Sequence, residues 1–289
     1  MADYKIRDVE ILTGIKAHTL RIWEKRYGLL VPDRTDTQIR TYSDEELSFL
    51  LNISLLNKHG IKISKIAALS KNDIAEKVWD LHSVSVLDTS GEQFVLALIE
   101  MDERMFTHTL QALIDEIGLE KAFTNHLVPF MERIGVMFLV GSINPAQEHF
   151  MSNVIRQKVI TEIDNLPIPV VDDQPILLFL PEHEWHELGL LFYQYLLRKN
   201  GFSTFYLGQS LPYDSLIQSI KLLNPRAVIS SWLTAVEEAF ILNYFEKLQK
   251  DAPDVLICAG GAQMKTHLDK LPRGIKPIEK AIEVLHLVN

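Results

Sequence analysis

Cysteine is nearly absent from this sequence, which contains only Cys258. A single thiol excludes an intramolecular disulfide and any cysteine-based zinc cluster, and it fits a reducing compartment. No apolar run approaches the roughly 20 residues that a membrane-spanning helix needs. The first residues also lack the apolar core of a signal peptide. These absences predict a cytoplasmic protein that has no membrane span.

Positive charge is also scarce, because the whole chain carries a net charge of −9, which at first argues against a nucleic-acid partner. The charge is unevenly distributed, however. Residues 1–70 hold 11 Lys and Arg against 9 Asp and Glu, or +2, whereas the remainder holds 18 against 29, or −11. An acidic remainder would keep a DNA-binding protein from coating DNA non-specifically.

The chain divides by pattern into three regions. Residues 1–70 contain short helical stretches around an irregular segment, and residues 72–167 predict helices throughout. In residues 175–289 short apolar runs alternate with helical periodicity, which is typical of a doubly wound parallel sheet. Capping patterns predict three further helix starts, at Ser90, Asn144 and Thr234.

The first region predicts two helices joined by a tight turn. A helix over Ile6–Leu12 is followed by Gly14, which suits the turn of a helix-turn-helix, and a second helix covers Lys16–Tyr27. Three residues of the second helix share a face and are expected to pack inward: Leu20, Trp23 and Tyr27. Another face is suited to the bases and phosphates of a major groove and carries His18, Arg21 and Lys25.

The segment after the second helix predicts a wing that ends at Arg40–Tyr42, with Arg34 and Arg40 available for phosphate. A capping box then opens the next helix at Ser43. The stretches that carry a resemblance are Leu20–Leu30, Pro32-x-Arg34, Arg40–Ser43 and Leu56-x-x-x-Gly60-Ile61. In this order they closely resemble the MerR family of regulators.

The resemblance to the MerR family covers about residues 4–70. It implies a winged helix-turn-helix, a homodimer and a palindromic operator of double-stranded DNA. We expect the operator to be contacted by His18, Thr19, Arg21, Lys25, Arg26, Arg34, Arg40 and Tyr42.

Polar residues of the third region cluster in three predicted strand-to-helix loops, at residues 182–189, 231–234 and 260–261. Doubly wound sheets bind ligands in such loops, at the carboxyl ends of the strands. A neutral imidazole such as that of His186 is a good metal donor, and a carboxylate such as Glu184 can orient it. Individually these residues indicate little, because surface histidines and Gly-Gly turns are common.

The three loops read, in order, Glu184-x-His186-x-x-Gly189, Ser231-x-Leu233 and Gly260-Gly261. This arrangement resembles the cobalamin-binding domain shared by methionine synthases and corrinoid regulators. The resemblance implies that His186 ligates cobalt and that Ser231 hydrogen-bonds the base of the nucleotide tail. The glycines would let that tail pass close to the backbone.

The middle region resembles the helical-bundle cap of corrinoid-dependent regulators, whose signature is Trp, nine residues, then Glu-His. Phe138 and Glu148-His149 hold those places. The resemblance implies that the bundle covers the upper face of a corrin. Without the neighbouring domain, an ordinary bundle with Phe138 in its core and Glu148 near a helix start would be the simpler interpretation.

Several residues depart from the pattern of these families. Phe138 replaces the usual Trp, and Leu139 stands where light-sensing members can carry a second histidine for cobalt. His183 replaces a common glycine, while Trp185 and Trp232 add bulk, so that Trp232 is able to fill the tail channel. These departures leave open a protein of the same fold with altered or lost cobalamin binding.

We therefore predict an α and α/β multidomain protein: a winged helix-turn-helix, a helical bundle, and a doubly wound, Rossmann-like α/β domain. The predicted function is a transcriptional repressor resembling the corrinoid-dependent, light-sensing carotenogenesis repressors. A cobalamin, in the adenosylcobalamin form, held between bundle and α/β domain would control a homodimer or tetramer and its operator binding.

Two alternatives remain at the level of the sequence. The first is a regulator of the same fold that responds to a protein partner or another ligand. The second is a corrinoid-dependent enzyme component, which the sequence supports less, because the only thiol, Cys258, lies inside a predicted strand and no nucleophile–base set is evident.

Overall fold

The computed structural model of the chain describes residues 4–35, 38–81, 86–139, 143–169 and 174–288. The chain forms two compact units, Met1–Val154 and Ile155–Asn289. Within the described ranges, no helix is both long enough and apolar enough to cross a membrane.

The first unit begins with a helix-turn-helix and its wing. Helix α1 (Ile6–Thr13) ends at Gly14, whose φ of 71° is accessible to glycine without strain, and helix α2 (Ala17–Tyr27) follows. Three short strands pair antiparallel in the order β1-β3-β2, with bounds Tyr4–Lys5 (β1), Asp33–Arg34 (β2) and Arg40–Tyr42 (β3). The predicted winged helix-turn-helix is confirmed.

Helix α3 (Asp44–Lys58) starts at the predicted capping box. Ser43 Oγ accepts from Glu46 N at 3.3 Å, and Glu46 Oε2 accepts from Ser43 N at 2.9 Å. Two helices complete this part of the chain, α4 (Ile63–Ile66) and α5 (Lys71–Leu81).

The rest of the unit belongs to a helical bundle built from α6 (Val86–Glu100), α7 (Glu103–Ala122), a π-helical turn (Phe123–Leu127), α8 (Val128–Leu139) and the first part of α9 (Pro145–Asp164). The rings of Phe94, Phe106 and Phe130 meet in its core at centroid distances of 4.7 to 5.8 Å. Asn144 caps α9 as predicted, because its Oδ1 accepts from Gln147 N at 3.0 Å.

The prediction that Ser90 opens a helix is wrong, because α6 begins four residues earlier. The polar residues that suggested a cap have partners inside the bundle instead. Ser90 Oγ lies 2.8 Å from His126 Nδ1, and Gln93 bonds both Thr89 and Thr109. Tertiary partners thus replace the local hydrogen bonds that a capping box would make.

The second unit contains a five-stranded parallel sheet in the order β5-β4-β6-β7-β8. Its strands are β4 (Ile176–Pro181), β5 (Thr204–Leu211), β6 (Ala227–Ser231), β7 (Leu256–Gly260) and β8 (Ile275–Ile278). The helices are α10 (Leu188–Lys199), α11 (Tyr213–Leu223), α12 (Glu238–Asp251), α13 (Ala262–Thr266) and α14 (Val284–Leu287), with 3-10 turns at Leu268–Lys270 and Ala281–Glu283. The doubly wound parallel sheet is confirmed.

Strand β4 lies between β5 and β6 and is fully buried, as its continuous apolar sequence predicts. The chain leaves β4 toward β5 on one side and later returns to β6 on the other, so the strand order reverses at this point. Such a switch point leaves a crevice between two diverging loops, where open α/β sheets bind ligands. The loops after β4 and β6 are the ones that carry His186 and Ser231.

Candidate functional site

The loop after β4 is organised by the carboxylate of Glu184, which is only 3% exposed. Its Oε2 accepts from the backbone N–H groups of Leu233 and Thr234, at 2.8 and 2.7 Å. Its Oε1 accepts from the backbone N–H groups of Trp185 and His186, both at 3.0 Å. One side chain therefore ties the loop after β4 to the loop after β6.

These donors determine the charge state of Glu184. Burial alone would raise its pKa, but the hydrogen bonds from the His186 side chain and from the backbone of Thr234, His186 and Leu233 outweigh burial and lower the pKa to about 2. The carboxylate is thus ionised at neutral pH.

The imidazole of His186 is held by this carboxylate, with Nδ1 2.6 Å from Glu184 Oε1. An ionised acceptor at this distance places the proton of a neutral ring on Nδ1, so the lone pair is on Nε2. The carboxylate is buried while the imidazole side chain is more than half exposed. This donor set fits a metal-ligating histidine of fixed tautomer and orientation.

Thr234 is a member of this network that the sequence reasoning missed. Its Oγ1 donates to Glu184 Oε1 at 3.0 Å and lies 3.3 Å from His186 Nδ1. We predicted Thr234 as the cap of the following helix, and that prediction is wrong: α12 begins at Glu238. The backbone N–H and the hydroxyl of Thr234 both donate hydrogen bonds to the Glu184 carboxylate instead.

The same loop is also fixed by the end of β5. Ser210 Oγ accepts from His183 N at 3.1 Å, and Ser210 N donates to the Glu184 carbonyl at 3.1 Å. His183 itself adopts a φ of 67°, a conformation in which glycine is the commonest residue. The departure from glycine at this position is therefore accommodated with the left-handed backbone retained.

Two exposed apolar side chains belong to residues whose backbone binds Glu184. Trp185 is 60% exposed and Leu233 is 47% exposed, and the backbone N–H groups of both end on the Glu184 carboxylate. An exposed imidazole among exposed apolar groups is a surface suited to a ligand that combines a metal with a broad apolar body.

The glycines of the three motifs have different environments. A Cβ on Gly189 would lie 3.6 Å from Ser231 Oγ, an ordinary contact, so these two residues are neighbours with room between them. A Cβ on Gly260 would overlap the Tyr193 hydroxyl, and one on Gly261 would overlap the backbone of Trp232. The two adjacent glycines are thus required by the protein's own packing.

Tyr193 is consequently the residue that faces Gly260, and the sequence reasoning missed it. The ring is buried, and burial raises the pKa of its hydroxyl to about 12. A nucleotide tail that followed the backbone of Gly260 would have to displace this ring. The residues fit an axial imidazole ligand well and fit a long tail only with movement of Tyr193.

Trp232 does not occupy the side of the sheet where Ser231 meets Gly189. Its ring packs against Tyr244 and Phe245 of α12 at centroid distances of 5.1 and 5.3 Å, and its Nε1 donates to Ser230 Oγ at 2.9 Å. Trp232 belongs to a buried cluster with residues of α11 and α12, whereas Ser231 Oγ lies beside Gly189 of α10. The expectation that Trp232 is able to fill the tail channel is therefore corrected.

In the bundle, Phe138 lies near the end of α8 and is exposed, so it does not form part of the core. Glu148 and His149 lie in the first turns of α9, with Glu148 Oε2 3.0 Å from His149 Nδ1. The side chain of Leu139 lies outside the described residues. Phe138 and His149 are exposed and Glu148 is partly buried, and the role of these three residues toward a ligand stays a prediction.

In the helix-turn-helix, α2 buries Leu20 and Trp23 as predicted, whereas Tyr27 is only partly buried. The opposite face exposes His18, Arg21, Lys25 and Arg26, while Thr19 is partly buried beside His18. Arg34 in the wing is exposed as well. These residues form one basic surface along α2 and the wing.

Two predicted DNA contacts have another role in this structure. Tyr42 is 1% exposed and donates through its hydroxyl to Glu24 Oε1 at 2.7 Å, and Arg40 Nε donates to Glu24 Oε2 at 2.9 Å. Because Glu24 belongs to α2, these bonds fix the helix against the wing. Direct contact of Tyr42 with DNA is corrected: burial makes it a positioning residue.

A polar link joins the bundle to the helix-turn-helix within the first unit. Arg133 of α8 donates to the carbonyl of Leu12, one residue before the end of α1, and Glu92 of α6 pairs with Lys58 of α3. Glu92 and Arg133 also attract each other electrostatically.

Comparisons with known proteins match two regions of the chain to family models. Residues 4–73 match the MerR HTH family regulatory protein, and residues 91–161 match the B12 binding domain.

Among curated proteins, two repressors align with almost the whole chain and a further regulator aligns with part of it. The HTH-type transcriptional repressor CarH of Myxococcus xanthus is 26% identical over 272 residues, which cover 91% of this chain and 90% of CarH. The repressor CarA of the same organism is 27% identical over 277 residues, covering 91% of this chain and 88% of CarA. The HTH-type transcriptional regulator MlrA of Escherichia coli is 38% identical over 138 residues, covering 46% of this chain and 53% of MlrA.

Among solved structures, the monomethylamine corrinoid protein of Methanosarcina barkeri superposes with a TM-score of 0.51 at 15% identity, covering 66% of this chain and 92% of that protein. At this identity the likeness concerns the fold alone. The chain thus has relatives among repressors that match it over nearly its full length. It carries an exposed basic helix, a winged head and a parallel sheet with a histidine in one of its loops. The chain therefore contains a MerR-type helix-turn-helix region and a B12-binding domain, and it is homologous to the CarH and CarA repressors.

Proposed function

We propose that the protein represses transcription by binding operator DNA as a homodimer or tetramer, and that a cobalamin in its adenosyl form controls this binding. Its head carries the basic surface of α2 and the wing, and its second unit carries His186 in the loop after β4. A cytoplasmic location remains a prediction.

The observation that carries the cobalamin assignment is the hydrogen bond between His186 Nδ1 and the buried, ionised Glu184. When bound, the corrinoid would supply a cobalt ion that accepts a nitrogen ligand, and His186 would provide that nitrogen. Glu184 would keep the His186 lone pair on Nε2, and Thr234 would keep Glu184 in place. Trp185 and Leu233 would cover part of the apolar macrocycle.

The remaining motif residues are assigned on weaker grounds. Gly189 and Ser231 leave room beside each other, so Ser231 is placed to hydrogen-bond a group that enters there. Gly260 and Gly261 would contact the tail only after Tyr193 has moved. We retain Phe138, Glu148 and His149 as the residues through which the bundle would contact the ligand.

A ligand can change DNA affinity only through a different affinity for the two states of the protein. Arg133 provides a physical route within the first unit, because it lies on the same helix as Phe138 and holds the carbonyl of Leu12 near the helix-turn-helix turn. A shift of α8 would therefore move or break the hydrogen bond to the last turn of α1.

The enzyme alternative finds little support in the second unit. Burial raises the pKa of the Cys258 thiol to about 12, so this residue is a poor nucleophile at neutral pH. The regulator that responds to a protein partner shares every feature of the head. It differs from the proposed function only in showing no corrinoid spectrum.

We expect Arg21→Ala to weaken binding to a DNA site selected from random sequences, because Arg21 is exposed on the basic face of α2. If Arg21 contacts a phosphate, the slope of log affinity against log salt should become shallower by about 1. Fluorescence anisotropy over a salt series measures both. Lys121→Ala, which removes an exposed charge from the bundle, should leave affinity and slope unchanged.

After incubation in the dark with adenosylcobalamin and desalting, the full chain should elute coloured, and its affinity for the selected DNA should differ from that of the ligand-free protein. His186→Ala should change the visible spectrum of the bound corrinoid, whereas His286→Ala, at an exposed site in the last helix, should not. Colourless wild-type protein would contradict cobalamin control and favour a protein partner.

Glu184→Gln should lower the free energy of unfolding at pH 7 by about 2 kcal/mol, because a buried, charged acceptor is lost. Since the native pKa of about 2 lies below the ordinary 4.5, Glu184 stabilises the fold above about pH 4.5, and this contribution is lost as the pH falls toward 2. Urea unfolding at several pH values should therefore show a weaker acid dependence in the variant. Glu182→Gln, at an exposed position, should behave as wild type; equal slopes for Glu184→Gln and wild type would refute the assignment.

A further inference from the structure

An apolar side chain lies within the basic face of α2. Ile22 is 52% exposed, and residues three or four positions away on a helix are its neighbours on the surface. These neighbours are His18, Lys25 and Arg26, with Arg21 adjacent in sequence, and all are exposed. Ile22 is thus surrounded by groups suited to a nucleic-acid partner.

The folded chain does not use Ile22 for packing. Leu20 and Trp23 already form the buried face of α2, and Glu24 is held by Arg40 and Tyr42. An isoleucine left half exposed retains apolar surface that is available to a binding partner. Ile11 has a similar exposure of 48%, but it lies on α1 next to the positions of Arg7 and Asp8, which are of opposite charge.

The partner must therefore be apolar where it meets Ile22 and anionic around it. The edges of base pairs in the major groove present hydrogen-bond donors and acceptors and one apolar group, the C5-methyl of thymine. Phosphates on either side would supply the negative charge that the surrounding cations need.

We propose that Ile22 is a specificity-determining residue that recognises a thymine in each half-site through its methyl group. This inference rests on the proposed DNA-binding function and adds the base that the apolar position reads. Because the contact is apolar, it should contribute to sequence preference without contributing to the salt dependence of binding.

The test replaces each thymine of a selected DNA site by deoxyuridine, which keeps the hydrogen-bonding edge and removes only the methyl group. For the full-length wild-type chain, one position in each half-site should lose about fourfold in affinity, the effect of one buried methyl group. Ile22→Ala should bind the thymine and deoxyuridine sites equally well at that position, with an unchanged salt slope.

Ile11→Ala is the matched control, because it removes the same side chain at similar exposure and should keep the fourfold preference. Circular dichroism and thermal unfolding verify that both variants are folded. Absence of any DNA binding by wild type would refute the proposed function itself. Binding without a deoxyuridine-sensitive position, or a preference that survives in Ile22→Ala, would overturn the role of Ile22 while leaving DNA binding intact.

Discussion

A buried carboxylate has to be surrounded by donors, and this requirement shapes the edge of the sheet at which β4 and β6 end. Glu184 has lost nearly all contact with solvent, and the backbone of two loops converges on it. Its charge in turn orients the ring of His186, and it also accepts from the backbone N–H groups of Trp185 and Leu233. If Glu184 were neutral or absent, the loop after β4 and the loop after β6 would lose their common anchor.

The fold itself could be predicted from the sequence to a large extent. The apolar runs that became β4 and β6 indicate buried parallel strands, and the order of motifs in their loops indicates the edge at which they meet. The site could be predicted less completely. Thr234 lies 50 residues from Glu184 in the chain. The capping pattern around Thr234 did not indicate that its hydroxyl would donate a hydrogen bond to this carboxylate. A capping pattern considers only hydrogen bonds to neighbouring backbone groups, whereas Thr234 bonds a residue distant in sequence.

The same limit applies to the DNA-binding head. Arg40 and Tyr42 have the residue types of DNA contacts, but in the structure both side chains donate hydrogen bonds to Glu24. These bonds hold α2 against the wing. Ile22, by contrast, gave no functional signal in the sequence and gained one only from its exposure within a basic face. In both cases the exposure of the side chain decides its role, and the residue type alone does not determine that exposure. Buried Tyr42 positions α2, whereas exposed Ile22 is available to DNA.

The central claim is that Glu184 prepares His186 as the axial ligand of a bound corrinoid. Electron paramagnetic resonance of cob(II)alamin bound to protein labelled uniformly with nitrogen-15 tests it directly, because cobalt reports the nuclear spin of its axial nitrogen. The account predicts that each cobalt line splits into a doublet, from a labelled protein nitrogen, and that the doublet is lost in His186→Ala. A triplet from the unlabelled benzimidazole of the ligand, or no nitrogen splitting, in the wild-type complex would contradict it.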